Sequence, residues 1–319
     1  MTLSCSKKDN VIVYVAGYEK NDNKRIAIIW INGKAENLSD SLTSTIANSI
    51  YVSNNNVYVV GRAIEGQYTA KLWINGIGKS LSNGKTFAKA NSVFISGSDI
   101  LIAGFDRRNL FDGAIYWKND KAIVLSDGYE ANSIAALGKD IYVVGCSWSD
   151  FGFYSVAKMW KNGKGINLTD QKDPSWANSI CISGKDIYIA GGEVDVNGRT
   201  IVKIWKNGKA INLTDGEFAA VANSIYVSGD DVYVAGWRYK DMFRDGKKSA
   251  VYWKNGDLIQ LSDSKYNTIA NSIFVLGDDV YVAGYKDGIA TYWKNGKAVY
   301  LTGGKHEAEA MSIYVVNNE

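Results

Sequence analysis

A tryptophan opening a Trp-x-Asn-Gly or Trp-x-Asn-Asp motif stands at Trp30, Trp73, Trp117, Trp160, Trp205, Trp253 and Trp293, and nothing else in the chain limits its folding so tightly. Two further markers recur in step with it. Ala-x-Ser-Ile/Val begins at Ala47, Ala90, Ala131, Ala177, Ala222, Ala270 and Ala310, with Asn second in every copy except the last, where Met311 stands. A hydrophobic run ends in glycine at Gly17, Gly61, Gly104, Gly145, Gly191, Gly236 and Gly284. Three independent markers agree on seven units with a period of roughly 40 to 50 residues, the length of one four-stranded propeller blade.

Each unit reads as four short strands. In the sixth, 224–227 and 232–235 are alternating β-branched and aromatic runs joined by a tight turn. The run 250–253, the two-residue turn Asn255-Gly256 and the run 258–261 supply the other two. In chain order these are strands a, b, c and d. The expected fold is all-β, a seven-bladed β-propeller with four antiparallel strands per blade. The N-terminal run 11–16 reads as a strand b without its strand a, and 312–316 as a strand a without its strand b. Pairing the C-terminal strand a with the N-terminal strands b to d would close the ring and remove exposed edges. The expected divisions are a disordered lead over 1–10, then one propeller over 11–319. Blade one is 11–46 plus 310–316, and blades two to seven are 47–89, 90–130, 131–176, 177–221, 222–269 and 270–309.

Spacing assigns the two faces of the disc. From the second residue of Ala-Asn-Ser to the glycine ending strand b is always 13 residues (48 to 61, 223 to 236), and from Trp to the leucine of strand d always 8 (30 to 38, 253 to 261). Those segments hold the a-b and c-d hairpins. The step from glycine to Trp runs 13, 12, 13, 15, 14, 17 and 9, so the b-c connection absorbs nearly all the length variation. One face is therefore built of invariant hairpins and the other of varied b-c and d-a loops, and loops on a rigid scaffold are where binding groups usually sit.

Charge and cysteine content exclude several classes. With 36 basic and 33 acidic residues the net charge is +3, too balanced for a general nucleic-acid surface. The densest basic group, Arg238, Lys240, Arg244, Lys247 and Lys248, is interleaved with Asp241 and Asp245 and reads as a solvated loop. Cys146 and Cys181 fall near opposite faces, so they form no disulfide framework. One histidine and three cysteines exclude a His/Cys metal centre, and no metal or cofactor is expected.

The repeat is similar to the tandem repeats of bacterial secreted propellers, including the HAF repeat family. Those repeats have a small residue and Ile opening the inner strand, a hydrophobic strand ending in Gly, then Ala-x-x-Trp-x-x-Gly and a Leu-containing strand. The last two are matched here by Ala290, Trp293, Gly296 and Leu301 and their counterparts. The likeness runs from about residue 11 to 316 and implies architecture, with no catalytic residue. Leu3-Ser4-Cys5 with its polar follower resembles the cleavage region of bacterial lipoproteins, although Thr2 stands where leucine is preferred. That resemblance implies lipidation at Cys5 and an extracytoplasmic, lipid-anchored protein, with the membrane involved only through the lipid.

The tryptophans of the repeat read as packing between or within blades. For the ring Asn48, Asn91, Asn132, Asn178, Asn223 and Asn271 two readings fit: an ion or polar-ligand ring, or side-chain bonds to backbone. Asp40, Asp127, Asp170, Asp215 and Asp263 read as turn formers. On the variable face, Phe105, Phe111, Trp148, Phe151, Tyr154, Trp176, Trp237, Tyr239 and Phe243 are more than a scaffold needs. Such aromatics serve either as local loop cores or as flat platforms for a sugar ring or a protein partner. No serine elbow, phosphate loop or histidine pair accompanies them, and no catalytic residue is assigned. The expected function is a monomeric, non-catalytic binding or protein-interaction propeller for a glycan or protein. The alternative is a carbohydrate-active hydrolase or lyase using carboxylates at the channel mouth, with Glu19, Glu65, Glu193 and Asp195 on the right face.

Overall fold

A computed structural model describes residues 11–40, 42–107, 113–150, 152–239, 246–263 and 265–318. Seven four-stranded antiparallel sheets form a seven-bladed propeller, and no helix occurs among the described residues. In blade one, strand a is Ala308–Asn317, followed in space by strand b, Val11–Asn21, strand c, Lys24–Ile31, and strand d, Lys34–Asn37. The two ends of the chain thus complete one sheet, with Ile12 opposite Val316 and Val15 opposite Ile313. In the other blades the four strands are consecutive, as in blade six with Ala220–Ser228, Asp231–Tyr239, Lys248–Lys254 and Asp257–Gln260.

The core is divided into seven inter-blade clusters, and each holds one repeat tryptophan. Trp205 of blade five packs with Ala135, Tyr142, Val144 and Ala157 of blade four. Trp30 of blade one packs with Tyr281, Ala283 and Ala290 of blade seven, so the same contact also crosses the chain-terminal junction. A sheet cannot bury both its faces alone, and the large flat indole fills the wedge where two twisted sheets diverge. The seven side chains are 0 to 3% exposed.

Two polar devices fix the register. On the hairpin face, Asn207 (φ 51°) and Gly208 (φ 82°) form a left-handed two-residue turn that matches strand twist. The Asn side chain of each such turn accepts a strand b N–H at 2.8–2.9 Å in all seven blades. In blades three to seven its Nδ2 also donates to an aspartate of the a-b turn, at 2.6–3.1 Å. The preceding lysine pairs with the same aspartate at 2.7–3.0 Å. These lysine and asparagine partners hold Asp99, Asp140, Asp186, Asp231 and Asp279 below the usual carboxylate range.

On the channel side, the second residue of each Ala-x-Ser element is skipped by the a-b ladder, a bulge that leaves Asn unpaired within its own sheet. Its side chain donates instead to the carbonyl of the next blade's alanine, at 2.7–3.0 Å, at six junctions. The neighbouring serine accepts an N–H from that next blade at 3.1–3.3 Å at six junctions. The Asn ring is thus committed to backbone, stapling each blade to its successor, and Met311 occupies the seventh place. The bulge also explains the glycine that ends strand b. A Cβ on Gly236 would collide with the carbonyl oxygen of Val221, and the same clash recurs at Gly17, Gly61, Gly104, Gly145, Gly191 and Gly284.

Candidate binding face

Immediately outside the Asn-Ser ring, the residue before each alanine faces the residue after each glycine as a cross-strand pair. Around the channel mouth these are Glu309 with Tyr18, Ile46 with Arg62, Lys89 with Phe105, Glu130 with Cys146, Trp176 with Gly192, Val221 with Trp237, and Ile269 with Tyr285. The scaffold fixes their places and leaves their identities free. The mouth is consequently two-sided: blades one to four carry Glu309, Arg62, Lys89 and Glu130, and blades five to seven carry Trp176, Val221, Trp237, Ile269 and Tyr285, none charged. A cavity of about 530 Å³ at the centre is lined by the Asn-Ser ring together with Arg62 and Lys89. A smaller cleft of about 260 Å³ between blades seven and one is lined by Tyr18, Asn267, Tyr285 and Glu309.

The carboxylates of the mouth are engaged. Glu130 accepts from Lys89 Nζ at 2.8 Å and from Asn91 Nδ2 at 2.9 Å. Glu309 accepts the Tyr18 hydroxyl at 3.0 Å and Asn271 Nδ2 at 2.9 Å. Burial first and the Glu309 carboxylate second push the Tyr18 hydroxyl far above the usual phenol range. Farther out, Glu65 pairs with Lys71 at 2.8 Å and Glu193 with Lys203. Asp195 accepts the backbone N–H groups of Asn197 and Arg199 at 2.9 and 2.7 Å, which makes it a turn former. Asp40, Asp170, Asp215 and Asp263 each accept the N–H two residues on. Among the described residues no group of three or more His, Cys, Asp or Glu side chains is placed to hold a metal ion.

The aromatics singled out from the sequence fall into separate places. Trp176 is half-buried against Gly192, where a Cβ would come within 2.7 Å of its ring, so the glycine lets the indole lie close to the sheet. Trp237, also half-buried, has Lys248 Nζ 4.2 Å from its ring centre and Tyr239 edge-on at 5.3 Å. Phe105 is only 9% exposed, beneath Lys89 and Arg107. Trp148 meets Tyr129 edge-on at 4.8 Å beside a separate pocket of about 520 Å³ that also contains Asp127, Asp150 and Lys158. Tyr154 is a latch, its hydroxyl donating to the carbonyls of Gln171 and Lys172 at 2.7 and 2.8 Å. Phe111, Phe151, Phe243 and Cys5 lie outside the described residues, as do Lys240, Asp241, Arg244 and Asp245 of the sixth loop. Of that loop's described cations, Arg238 stacks on Phe218 at 5.0 Å and Lys247 donates to the Lys265 carbonyl at 2.8 Å.

Arg62, Lys89, Glu130, Glu309 and Tyr285 are mouth residues that only the structure reveals. The signal was present, because each lies one place from a repeat marker, at a flanking place whose residue type changes from copy to copy.

No protein-family model matches the chain, and a search of curated proteins finds no relative. Solved structures do match in fold. The β-propeller domain of the trilobed protease from Pyrococcus furiosus, described as having an open velcro topology, aligns at TM-score 0.57 and 13% identity, covering 94% of this chain and 96% of that one. The acylaminoacyl peptidase of Pyrococcus horikoshii aligns in two structures at TM-scores 0.53 and 0.57 and 16% identity. The present chain covers 92% of itself in those alignments and spans about half, 50 to 51%, of the peptidase. At such identities the likeness concerns the propeller fold alone.

Proposed function

We propose that this propeller is a non-catalytic binding protein that takes a glycan or a protein segment on its b-c/d-a face, centred on the channel mouth. The observation that carries the reading is the aromatic half of the mouth. Trp176 and Trp237 stay half-exposed on neighbouring blades while all seven repeat tryptophans are buried. A half-exposed indole beside backbone and hydroxyl groups offers an apolar face with a polar rim, the combination that suits a sugar ring or an interface anchor. The carboxylate-based hydrolase is the weaker reading, because Glu130 and Glu309 are each held by two partners and Glu65, Glu193 and Asp195 are likewise engaged. That leaves Glu19 as the one carboxylate of that set without such a partner among the described residues. Export with a lipid on Cys5 belongs to the same proposal and is checked by mass spectrometry of the protein from its native cell.

The test is a binding screen of the purified protein against a diverse glycan panel, repeated with Trp176→Ala and Trp237→Ala. Binding that drops at least tenfold in either variant supports the site, roughly the loss of one stacked aromatic contact. A hit whose affinity neither substitution changes removes the mouth as the site. Release of shortened sugars during the screen would overturn the non-catalytic reading.

A further inference from the structure

Arg62 has no structural reason to be an arginine. At its place in the repeat the other six blades carry Tyr18, Phe105, Cys146, Gly192, Trp237 and Tyr285, all uncharged. The side chain lines the central cavity, and its Nε is buried without a hydrogen-bond partner. Among the described residues no carboxylate lies within ion-pairing distance of its guanidinium, whose only ring contact is with Tyr68 at 5.1 Å. Arg25, stacked on Tyr18 at 5.0 Å, has a buried Nε in the same condition. Glu130 is paired with Lys89 at 2.8 Å and acts on Arg62 only at longer range, so two guanidinium groups on this arc are left without an ion pair of their own among the described residues.

A half-buried, unpaired cation is costly, and a second like charge beside it raises that cost. Burial is the main cause that lowers the Arg62 pKa; Tyr68, and more weakly Glu130 and Tyr18, oppose it, while the Arg25 charge lowers it further, so the two guanidinium charges feel one another. A guanidinium in this condition is a planar fork of donors without an acceptor, the arrangement that grips a carboxylate or a phosphate by two parallel bonds.

We propose that the charged half of the channel mouth, with Arg62 as the direct contact and Arg25 as the supporting charge, is a binding site for an oxyanion, either a free anion or the acidic group of a larger ligand. The site deepens the binding reading by giving the ligand's charge, and it rests on that reading only for a ligand that also spans the aromatic half.

The test measures thermal midpoint shifts and calorimetric titrations of the full chain with inorganic phosphate and with galacturonate. Potassium chloride at matched ionic strength and neutral galactose serve as controls. Arg62→Gln and Arg62→Lys are compared with the parent. The expected result is a concentration-dependent rise in midpoint with phosphate, galacturonate or both, absent with the controls. Affinity should fall at least tenfold in Arg62→Gln and be partly kept in Arg62→Lys. Without any anion, Arg62→Gln should melt at or above the parent, because an uncompensated charge has been removed; a purely structural arginine gives the opposite sign. Response to phosphate alone identifies a free-anion site, and response to galacturonate alone a carboxylate site. Two results overturn the proposal: no response to either anion beyond the controls, or equal response in parent and Arg62→Gln. Trp176→Ala is expected to keep phosphate binding, so a failed glycan screen with intact phosphate binding removes only the aromatic platform.

Discussion

Replacing Trp205 by alanine separates the two kinds of tryptophan in this molecule. The Trp205 side chain is fully buried between blades four and five. Its Nε1 donates to the Leu168 carbonyl at 3.1 Å. An aromatic of this size buries about 200 Å². At about 25 cal/mol per Å², removing it costs about 5 kcal/mol, and the orphaned Leu168 carbonyl adds about 1 kcal/mol. Partial collapse of the wedge returns some of this, so a net loss of about 4–5 kcal/mol is expected. With an unfolding entropy of about 2.1 cal/mol/K per residue, the midpoint should fall by about 7 °C if the ring melts as one unit. Trp237→Ala, made in parallel, removes a half-exposed ring and should cost about 1 kcal/mol. Denaturant titration followed by far-ultraviolet circular dichroism, with calorimetry as a second probe, measures both. Equal losses in the two variants, or a Trp205→Ala cost below about 2 kcal/mol, would refute the assignment of the repeat tryptophans to inter-blade packing.

Asn178→Ala should destabilise by about 1–2 kcal/mol, because the Ala222 carbonyl loses a 2.7 Å donor from the neighbouring blade; a denaturation midpoint identical to the parent's contradicts the stapling role. The five aspartates of the hairpin face have folded pKa values below their unfolded ones. Their contribution is therefore complete above the unfolded carboxylate value of about 3.9 and is lost as pH falls through the lower folded values. The thermal midpoint should accordingly fall below about pH 4, and the decline should be shallower when all five are changed to asparagine. An unchanged acid limb in that variant, followed by calorimetry across the pH series, counts against these pairs as the acid-sensitive element.

The repeat was legible because every marker answers a requirement that recurs identically at each blade. Trp fills a wedge, Asn-Gly makes a left-handed turn, and glycine avoids a carbonyl across a bulge. Such local demands leave the same letters at the same spacing. The role of the Asn ring was only half legible: the side-chain to backbone bond followed from residue type, but its acceptor lies 39 to 47 residues away in the next blade. The mouth was less legible still. Trp176 and Trp237 drew attention as aromatics in loops, whereas Phe105 of the same set is covered by Lys89 and Arg107, and Tyr154 spends its hydroxyl on the carbonyls of the following d-a loop.

The sequence by itself determined the number of blades, the strands in each, the face on which the loops vary and the closure of the ring through its ends. These follow from periodicity, turn chemistry and the need to remove sheet edges. The tertiary structure decided which of the variable residues meet. Closing seven sheets around one axis brings Arg62, Lys89, Glu130 and Glu309 to one arc and the tryptophans to the other. Only that geometry shows which charges are paired and which guanidinium groups, those of Arg25 and Arg62, are left without an ion pair among the described residues.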